Sequence, residues 1–154
     1  MHRLLTNSKE RAFYYWYFVV HIPITIFIDS SVVLGDRPPV WSSLVMWHCQ
    51  NNNDFLLLER PVWLWWFVLI ELIFQLPLFF YFVFNWSCLN SPSVGKKTYR
   101  LLTLLRFYGL EAALTTAVCI WAIWQRGNIT LENQLQLTFV YLLTVIIPGR
   151  LCFF

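Results

Sequence analysis

The sequence predicts an all-α polytopic membrane protein built as a bundle of four transmembrane helices. Of its 154 residues, 58% are hydrophobic and 12% are charged, whereas a soluble domain is about 45–50% apolar and about 25% charged. The chain therefore has too few polar side chains to cover a water-soluble globule. Four apolar stretches also approach the roughly 20 residues that cross a hydrocarbon core. Their apolar runs are continuous rather than alternating, which favours helices over a β-barrel.

The four apolar stretches are separated by polar linkers that contain proline or glycine. A polar segment, residues 1–11, precedes the first stretch. The second stretch has Glu71 as its only ionisable residue, and the third contains Arg106 and Glu111. Pro148 interrupts the fourth. The predicted transmembrane helices, which belong to one domain over 12–154, cover 12–34, 61–84, 101–124 and 135–154.

The long linker between the first and second helices is predicted to contain a helix of its own over 40–49. Trp41 and Trp47 would place this helix at the membrane surface, because Trp is enriched at headgroup depth.

The distribution of basic residues predicts the orientation, because cytoplasmic loops carry an excess of Lys and Arg. The N-terminus and the linker between the second and third helices hold most of the basic residues near the spans. Both termini are therefore predicted to be cytoplasmic. The basic residues concerned are Arg3, Lys9, Arg11, Lys96, Lys97 and Arg100.

Polar residues recur at helical spacing inside the apolar stretches. His21, Thr25 and Asp29 are four apart and share one helix face. Glu71 and Gln75 repeat this spacing in the second helix, and a carboxylate at such depth costs ~2.5–3.5 kcal/mol. We therefore expect the stripes to close around one internal cavity. In the alternative interpretation, the carboxyls are protonated and only hold the bundle together. Glu111 and Thr115 are also four apart, in the third helix, and for Glu111 the two interpretations stay equally open.

Two neighbouring carboxyl groups are expected to share a proton, because both cannot easily ionise at close range. Such a site favours a protonated amine, or a sterol whose single polar group meets the cluster. The net charge of +3 is weak and scattered, so no nucleic-acid partner is predicted. The four cysteines lie far apart and form no Cys/His cluster, so neither a metal nor a cofactor is predicted.

Two segments resemble a known family. Residues 21–25 followed by Asp29, and residues 71–77, resemble the signature segments of sigma-2 receptor-like proteins. These are EXPERA-domain membrane proteins, to which the emopamil-binding sterol isomerases are more distantly related. The resemblance covers residues 12–148. It extends to Asp54 before the second helix, to Thr116 in the third and to Tyr141 in the fourth.

The resemblance implies a multi-pass endoplasmic-reticulum protein, a homodimer, whose intramembrane pocket binds sterols or cationic amphiphiles. Asp29 would be the amine counter-ion, Glu71 its proton-sharing neighbour and Asp54 a support of the pocket. A role in sterol homeostasis or trafficking follows from the same resemblance. The alternative is a Δ8–Δ7 sterol isomerase that uses Glu71 and Glu111, with His21 in support. In the binding interpretation no residue is catalytic, and the remaining members of the ligand-binding set are His21, Gln75, Thr116 and Tyr141.

Overall fold

The computed structural model describes residues 3–35, 39–90, 95–126 and 129–153, and these residues form helices with no strand. The predicted all-α fold is confirmed. In chain order the α-helices are α1 (Arg3–Thr6), α2 (Ser8–Ile24), α3 (Ser31–Leu34), α4 (Pro39–Asn52), α5 (Phe55–Glu59), α6 (Val62–Ile70), α7 (Leu76–Asn85), α8 (Lys96–Gln125) and α9 (Leu131–Gly149). Two π-helical segments, Thr25–Asp29 and Glu71–Gln75, and two 3₁₀ segments, Trp86–Asn90 and Arg150–Phe153, continue these helices.

Within the described residues, four continuous helical rods are long and apolar enough to cross a membrane. We call them the first span (Ser8–Leu34), second span (Val62–Asn90), third span (Lys96–Gln125) and fourth span (Leu131–Phe153).

Polar caps begin two of the spans. The Asn7 side chain accepts hydrogen bonds from the backbone N–H groups of Lys9 and Glu10 at 3.1 and 3.2 Å. The Thr130 hydroxyl accepts from the Asn133 N–H at 3.3 Å. Because these caps satisfy free N–H groups, the helices extend into polar turns ahead of the apolar residues.

The third and fourth spans pack closely because Gly109 has no side chain. A Cβ atom added at Gly109 would lie 2.3 Å from the Pro148 carbonyl oxygen. Across the bundle, the Tyr14 hydroxyl of the first span donates to the Ile147 carbonyl of the fourth at 2.8 Å. Small residues and such hydrogen bonds are how helices associate in lipid.

The start of the first span and the finish of the fourth span lie at the same end of the bundle, which we call the terminal end. The Arg150 guanidinium donates to the Glu10 carboxylate at 2.8 Å. The Arg11 guanidinium donates to the carbonyls of Leu4 and Leu89, at 3.2 and 3.1 Å. The second span therefore also finishes at the terminal end.

The opposite end of the bundle, the loop end, is covered by residues 39–60, which we call the cap. The helix predicted over 40–49 is present within α4. The cap is attached to the fourth span, since Gln136 donates to the Asn51 carbonyl at 2.8 Å and Asn53 to the Asn133 side chain at 3.1 Å. Trp47 is exposed, while the side chain of Trp41 lies outside the described part. Val45 and Cys49 are buried in a core cluster with residues of all four spans.

Candidate functional site

A cavity of about 280 Å³ lies inside the bundle and touches all four spans and the cap. It separates an aromatic core cluster at the terminal end from a smaller cluster under the cap. All seven residues of the predicted ligand-binding set line this cavity: His21, Asp29, Asp54, Glu71, Gln75, Thr116 and Tyr141.

Asp29 and Glu71 meet across the cavity wall. The Thr25 hydroxyl donates to Glu71 Oε1 at 2.8 Å, and the Asp29 and Glu71 side chains line the same cavity close enough to interact. Because two neighbouring carboxyl groups cannot both ionise easily, proton sharing by this pair stays a prediction.

The two carboxyl groups stand at the ends of the two π-helical segments. The N–H of Ser30 bonds to the Thr25 carbonyl at 3.0 Å, five residues back, and the N–H of Leu76 bonds to the Glu71 carbonyl in the same way. Pro23 precedes one segment and Pro77 follows the other. Since proline lacks an N–H and disturbs the α-helical ladder, it accounts for the change of pitch. Such wide turns occur frequently at functional sites.

Gln75 connects the cavity wall to Glu111. Its side-chain amide donates to Glu111 Oε2 at 2.5 Å, while Glu111 Oε1 is buried with no hydrogen-bond partner among the described residues. Glu111 is not among the lining residues that the structure describes. This arrangement favours the interpretation of Glu111 as a residue that holds Gln75 and ties the second span to the third.

Asp54 joins the cap to the bundle. Its Oδ1 atom accepts from the backbone N–H groups of Leu56 and Leu57 at 3.1 and 3.2 Å and so caps α5. Its Oδ2 atom accepts from the Tyr141 hydroxyl at 3.1 Å and lies 3.6 Å from His48 Nε2. Asp54 is almost fully buried. Backbone N–H groups, a hydroxyl and an imidazole surround its carboxylate at the loop end of the cavity and offset the loss of contact with water.

The terminal end of the cavity is closed by aromatic residues. The hydroxyls of Tyr17 and Tyr108 lie 2.9 Å apart in a hydrogen bond. The His21 ring packs on Tyr17 with centroids 4.6 Å apart and on Phe79 at 5.6 Å. His21 therefore combines a place on the cavity wall with aromatic packing.

Three polar lining residues were not predicted from the sequence to face the cavity: Tyr17, His48 and Cys119. Tyr17 lies four residues before His21, and Cys119 lies four after Thr115, so both continue a polar stripe. Their helical spacing was a usable signal. His48 reaches the cavity from the cap, and no periodicity in the sequence indicates this.

The charge of the cavity wall is one-sided. Asp29, Asp54 and Glu71 line it, and the described lining residues include neither Lys nor Arg. Among the described residues no group of three or more His, Cys, Asp or Glu side chains is placed to hold a metal ion. Within the cap, burial and the nearby Asp54 carboxylate raise the pKa of Cys49 to about 11, which keeps this group a neutral thiol at physiological pH.

Comparison with known proteins identifies similar sequences. Residues 40–153 match the family described as EXPERA (EXPanded EBP superfamily). Efficient mitochondria targeting-associated protein 19 of Saccharomyces cerevisiae is 46% identical over 161 residues, covering 96% of this chain and 98% of that protein. Sigma intracellular receptor 2 of Homo sapiens is 32% identical over 145 residues, covering 90% of this chain and 82% of the receptor.

Proposed function

The chain belongs to the EXPERA family of membrane proteins, and from this premise we propose that it binds sterols or amphiphilic amines in its intramembrane cavity. We propose that this binding occurs in the endoplasmic-reticulum membrane and that it contributes to sterol homeostasis or trafficking. One observation carries the proposal: the neighbouring carboxyl groups of Asp29 and Glu71 line a cavity whose described lining has no Lys or Arg.

Electrostatics favours a protonated amine as one class of ligand. A carboxyl pair that shares one proton keeps one negative charge, and a charge inside a low-dielectric bundle is costly until it is paired. An ammonium group beside Asp29 supplies the missing positive charge. The rings of Tyr17, Phe67 and Tyr108 line the same space and offer cation–π attraction to such a group.

The shape and polarity of the cavity favour one compact amphiphile. The volume of about 280 Å³ lies just below the roughly 300–1,000 Å³ typical of ligand pockets. The remaining lining is largely apolar and includes Leu64, Val68 and Val140. A rigid apolar body with a single polar group, such as a sterol hydroxyl, matches this distribution.

The first prediction tests the counter-ion role. In Asp29→Asn we expect the affinity for a cationic amphiphile to fall roughly 10–100-fold, about 1.4–2.8 kcal/mol, and the affinity for a neutral sterol to change by less than about threefold. Fluorescent-ligand titration of the purified protein in nanodiscs measures both affinities. Glu132→Gln is the matched control, because it removes an exposed carboxylate outside the described cavity lining. Equal losses for the amine and the sterol in Asp29→Asn would refute the counter-ion role.

The sterol isomerase alternative requires a proton donor and a proton acceptor that both face the sterol. Glu71 faces the cavity, whereas the Glu111 carboxyl is bonded to Gln75 outside the described lining. Binding without turnover is therefore the better-supported proposal. Incubation of a Δ8-sterol with purified protein separates the two, because formation of the Δ7-sterol that stops in Glu71→Gln would establish the enzyme.

A second candidate function is a contribution to efficient targeting of proteins to mitochondria. It is favoured by the 46% identity, over 96% of this chain, to the Saccharomyces cerevisiae protein whose name carries that function. The test is mitochondrial import of a reporter in cells that lack this chain. Rescue by the wild type but not by Asp29→Asn would make ligand binding and targeting one function. Equal rescue would separate them, and no import defect would remove the candidate.

The homodimer and the cytoplasmic position of both termini are part of the proposal. The positions of the two chain ends at one end of the bundle support a common side for the termini. Protease protection of tags at the two termini tests the orientation, and single-molecule mass measurement in nanodiscs tests the dimer.

A further inference from the structure

A second, smaller pocket lies between the loop end of the first span and the cap. Its volume is about 90 Å³, and Ser30, Ser31, Met46 and Arg60 are among its lining residues. Leu57 lines both this pocket and the main cavity, so its buried side chain separates them. Nothing in the proposed sterol or amine binding uses this pocket.

The Ser31 hydroxyl needs a partner that the described residues do not provide. Ser31 is 8% exposed, and its Oγ atom is buried without a hydrogen bond. The neighbouring Ser30 hydroxyl, in contrast, donates to the Ile26 carbonyl at 2.5 Å. A buried hydroxyl without a partner is costly. A group that accepts a hydrogen bond inside the pocket would satisfy Ser31.

Arg60 gives the pocket a positive wall. It is the only charged side chain among the described lining residues. Its backbone N–H bonds to the Leu56 carbonyl at 3.0 Å and closes α5, which fixes its position two residues before the second span. A guanidinium has five N–H donors in a planar fork, so it binds an oxyanion while it keeps other contacts.

We propose that this pocket binds an oxyanion of carboxylate or phosphate size, held by the Arg60 guanidinium and the Ser31 hydroxyl. Since one water needs only about 10–15 Å³ of such volume, about 90 Å³ accepts one small oxyanion. The charge of this pocket is opposite to that of the main cavity, where three carboxyl groups face the ligand. The anion comes either from a lipid headgroup at the end of the spans or from solution.

The test follows thermal unfolding of the full chain in a non-ionic detergent by fluorescence of its nine Trp residues. One arm adds inorganic phosphate against chloride at matched ionic strength. The other arm adds lysophosphatidic acid against the uncharged monoacylglycerol with the same chain. At about ten times its Kd, a bound oxyanion is expected to raise Tm by at least about 3 °C. A response to phosphate identifies a soluble anion, and a response to the lipid alone identifies a headgroup.

Two pocket variants and one control show whether the anion-induced rise in Tm depends on this pocket. Ser31→Ala removes a hydroxyl that has no protein partner, so its Tm without anion should equal or exceed the wild-type value, while the anion-induced rise should shrink by at least about half. Arg60→Gln should abolish the rise, and Lys97→Gln, an exposed charge outside the pocket, should keep it. The proposal is overturned if neither probe raises Tm, if the rise persists in both pocket variants, or if Ser31→Ala alone lowers the basal Tm.

Discussion

The same four spans build two different interiors, one filled with rings and one open around polar groups. Near the terminal end, the Phe18 ring packs against Phe79, Phe82 and Tyr108 with centroids 5.7, 4.9 and 5.5 Å apart. Less than two helical turns along the first span, the Thr25 hydroxyl bonds to Glu71, whose side chain lines the cavity. In lipid there is little hydrophobic force between helices, so packing and hydrogen bonds hold a bundle together. The filled interior supplies the packing that the open interior lacks.

The open interior is held by hydrogen bonds between its elements. Thr25 bonds to Glu71, and Gln75 bonds to Glu111. Tyr141 bonds to Asp54. Each of these contacts gives a buried carboxyl group a partner, and each joins two different elements. The difference between the two halves therefore predicts that core substitutions change stability, whereas cavity substitutions mainly change binding.

The largest effect on stability is expected from removing an aromatic side chain from the filled interior. Phe18 is fully buried, and Phe18→Ala should lower the free energy of unfolding by about 3–5 kcal/mol, as measured by chemical unfolding in detergent. The control is Phe84→Ala, because Phe84 is 78% exposed on the outer face. A loss in Phe84→Ala as large as in Phe18→Ala would break the comparison, since packing against the core would then not distinguish them.

Much of this architecture was predictable, because its signals are local. Hydropathy alone indicates four spans, and the all-α fold and the family resemblance are both confirmed. The four-residue spacing of His21, Thr25 and Asp29 predicted a shared face, and all three side chains do turn to the interior. Asp54 entered the set only through the resemblance, since its partner Tyr141 is 87 residues away, in the fourth span.

Other features depend on tertiary context. The chain has fourteen Phe and nine Trp, so aromatic residues alone did not single out Tyr17, although its place in the stripe with His21 was visible. Glu111 carries the same spacing signal as the lining carboxyls, yet its side chain bonds to Gln75 instead of lining the cavity. The π-helical segments also escape prediction, because the prolines near them indicate a disturbed helix without specifying the pitch.

A larger side chain in the open interior tests the same comparison through its effect on ligand binding. Thr116 lines the cavity, and Thr116→Leu places a larger apolar side chain in that space. We expect ligand affinity to fall at least roughly tenfold, about 1.4 kcal/mol, with no loss of unfolding free energy, because the added atoms fill a void. Ligand titration and chemical unfolding of the same sample give the two numbers. Thr103→Leu, on the third span outside the described lining, should change neither, and a large destabilisation in Thr116→Leu would show that this half is already filled.

The boundary between the two halves is the Tyr17–Tyr108 hydroxyl pair. Removing one hydroxyl leaves the other without its partner, so Tyr17→Phe and Tyr108→Phe should each cost about 0.5–1.5 kcal/mol in unfolding free energy. The double variant should cost no more than either single one, because only one bond is lost. Additive losses would contradict this description and would assign each hydroxyl a separate partner.

The smallest expected effect lies outside both interiors, where the cap meets the third span. The Arg126 guanidinium bonds to both carboxylate oxygens of Glu59 and lies 4.2 Å from the Phe55 ring centroid. Hydrogen bonds from Arg126 lower the pKa of Glu59 below its usual value. The lowered folded-state pKa means that this contact stabilises the protein above the usual pKa of about 4.3, and that its contribution disappears as the pH falls through the lowered value.

Both side chains are exposed to water, which weakens such a pair, so the effect on Tm should be small and should shrink further with salt. Comparing wild type with Glu59→Gln from about pH 7 to about pH 3 should show a Tm difference that vanishes in acid, and a difference that persists there would assign the effect to packing on Phe55 instead of charge.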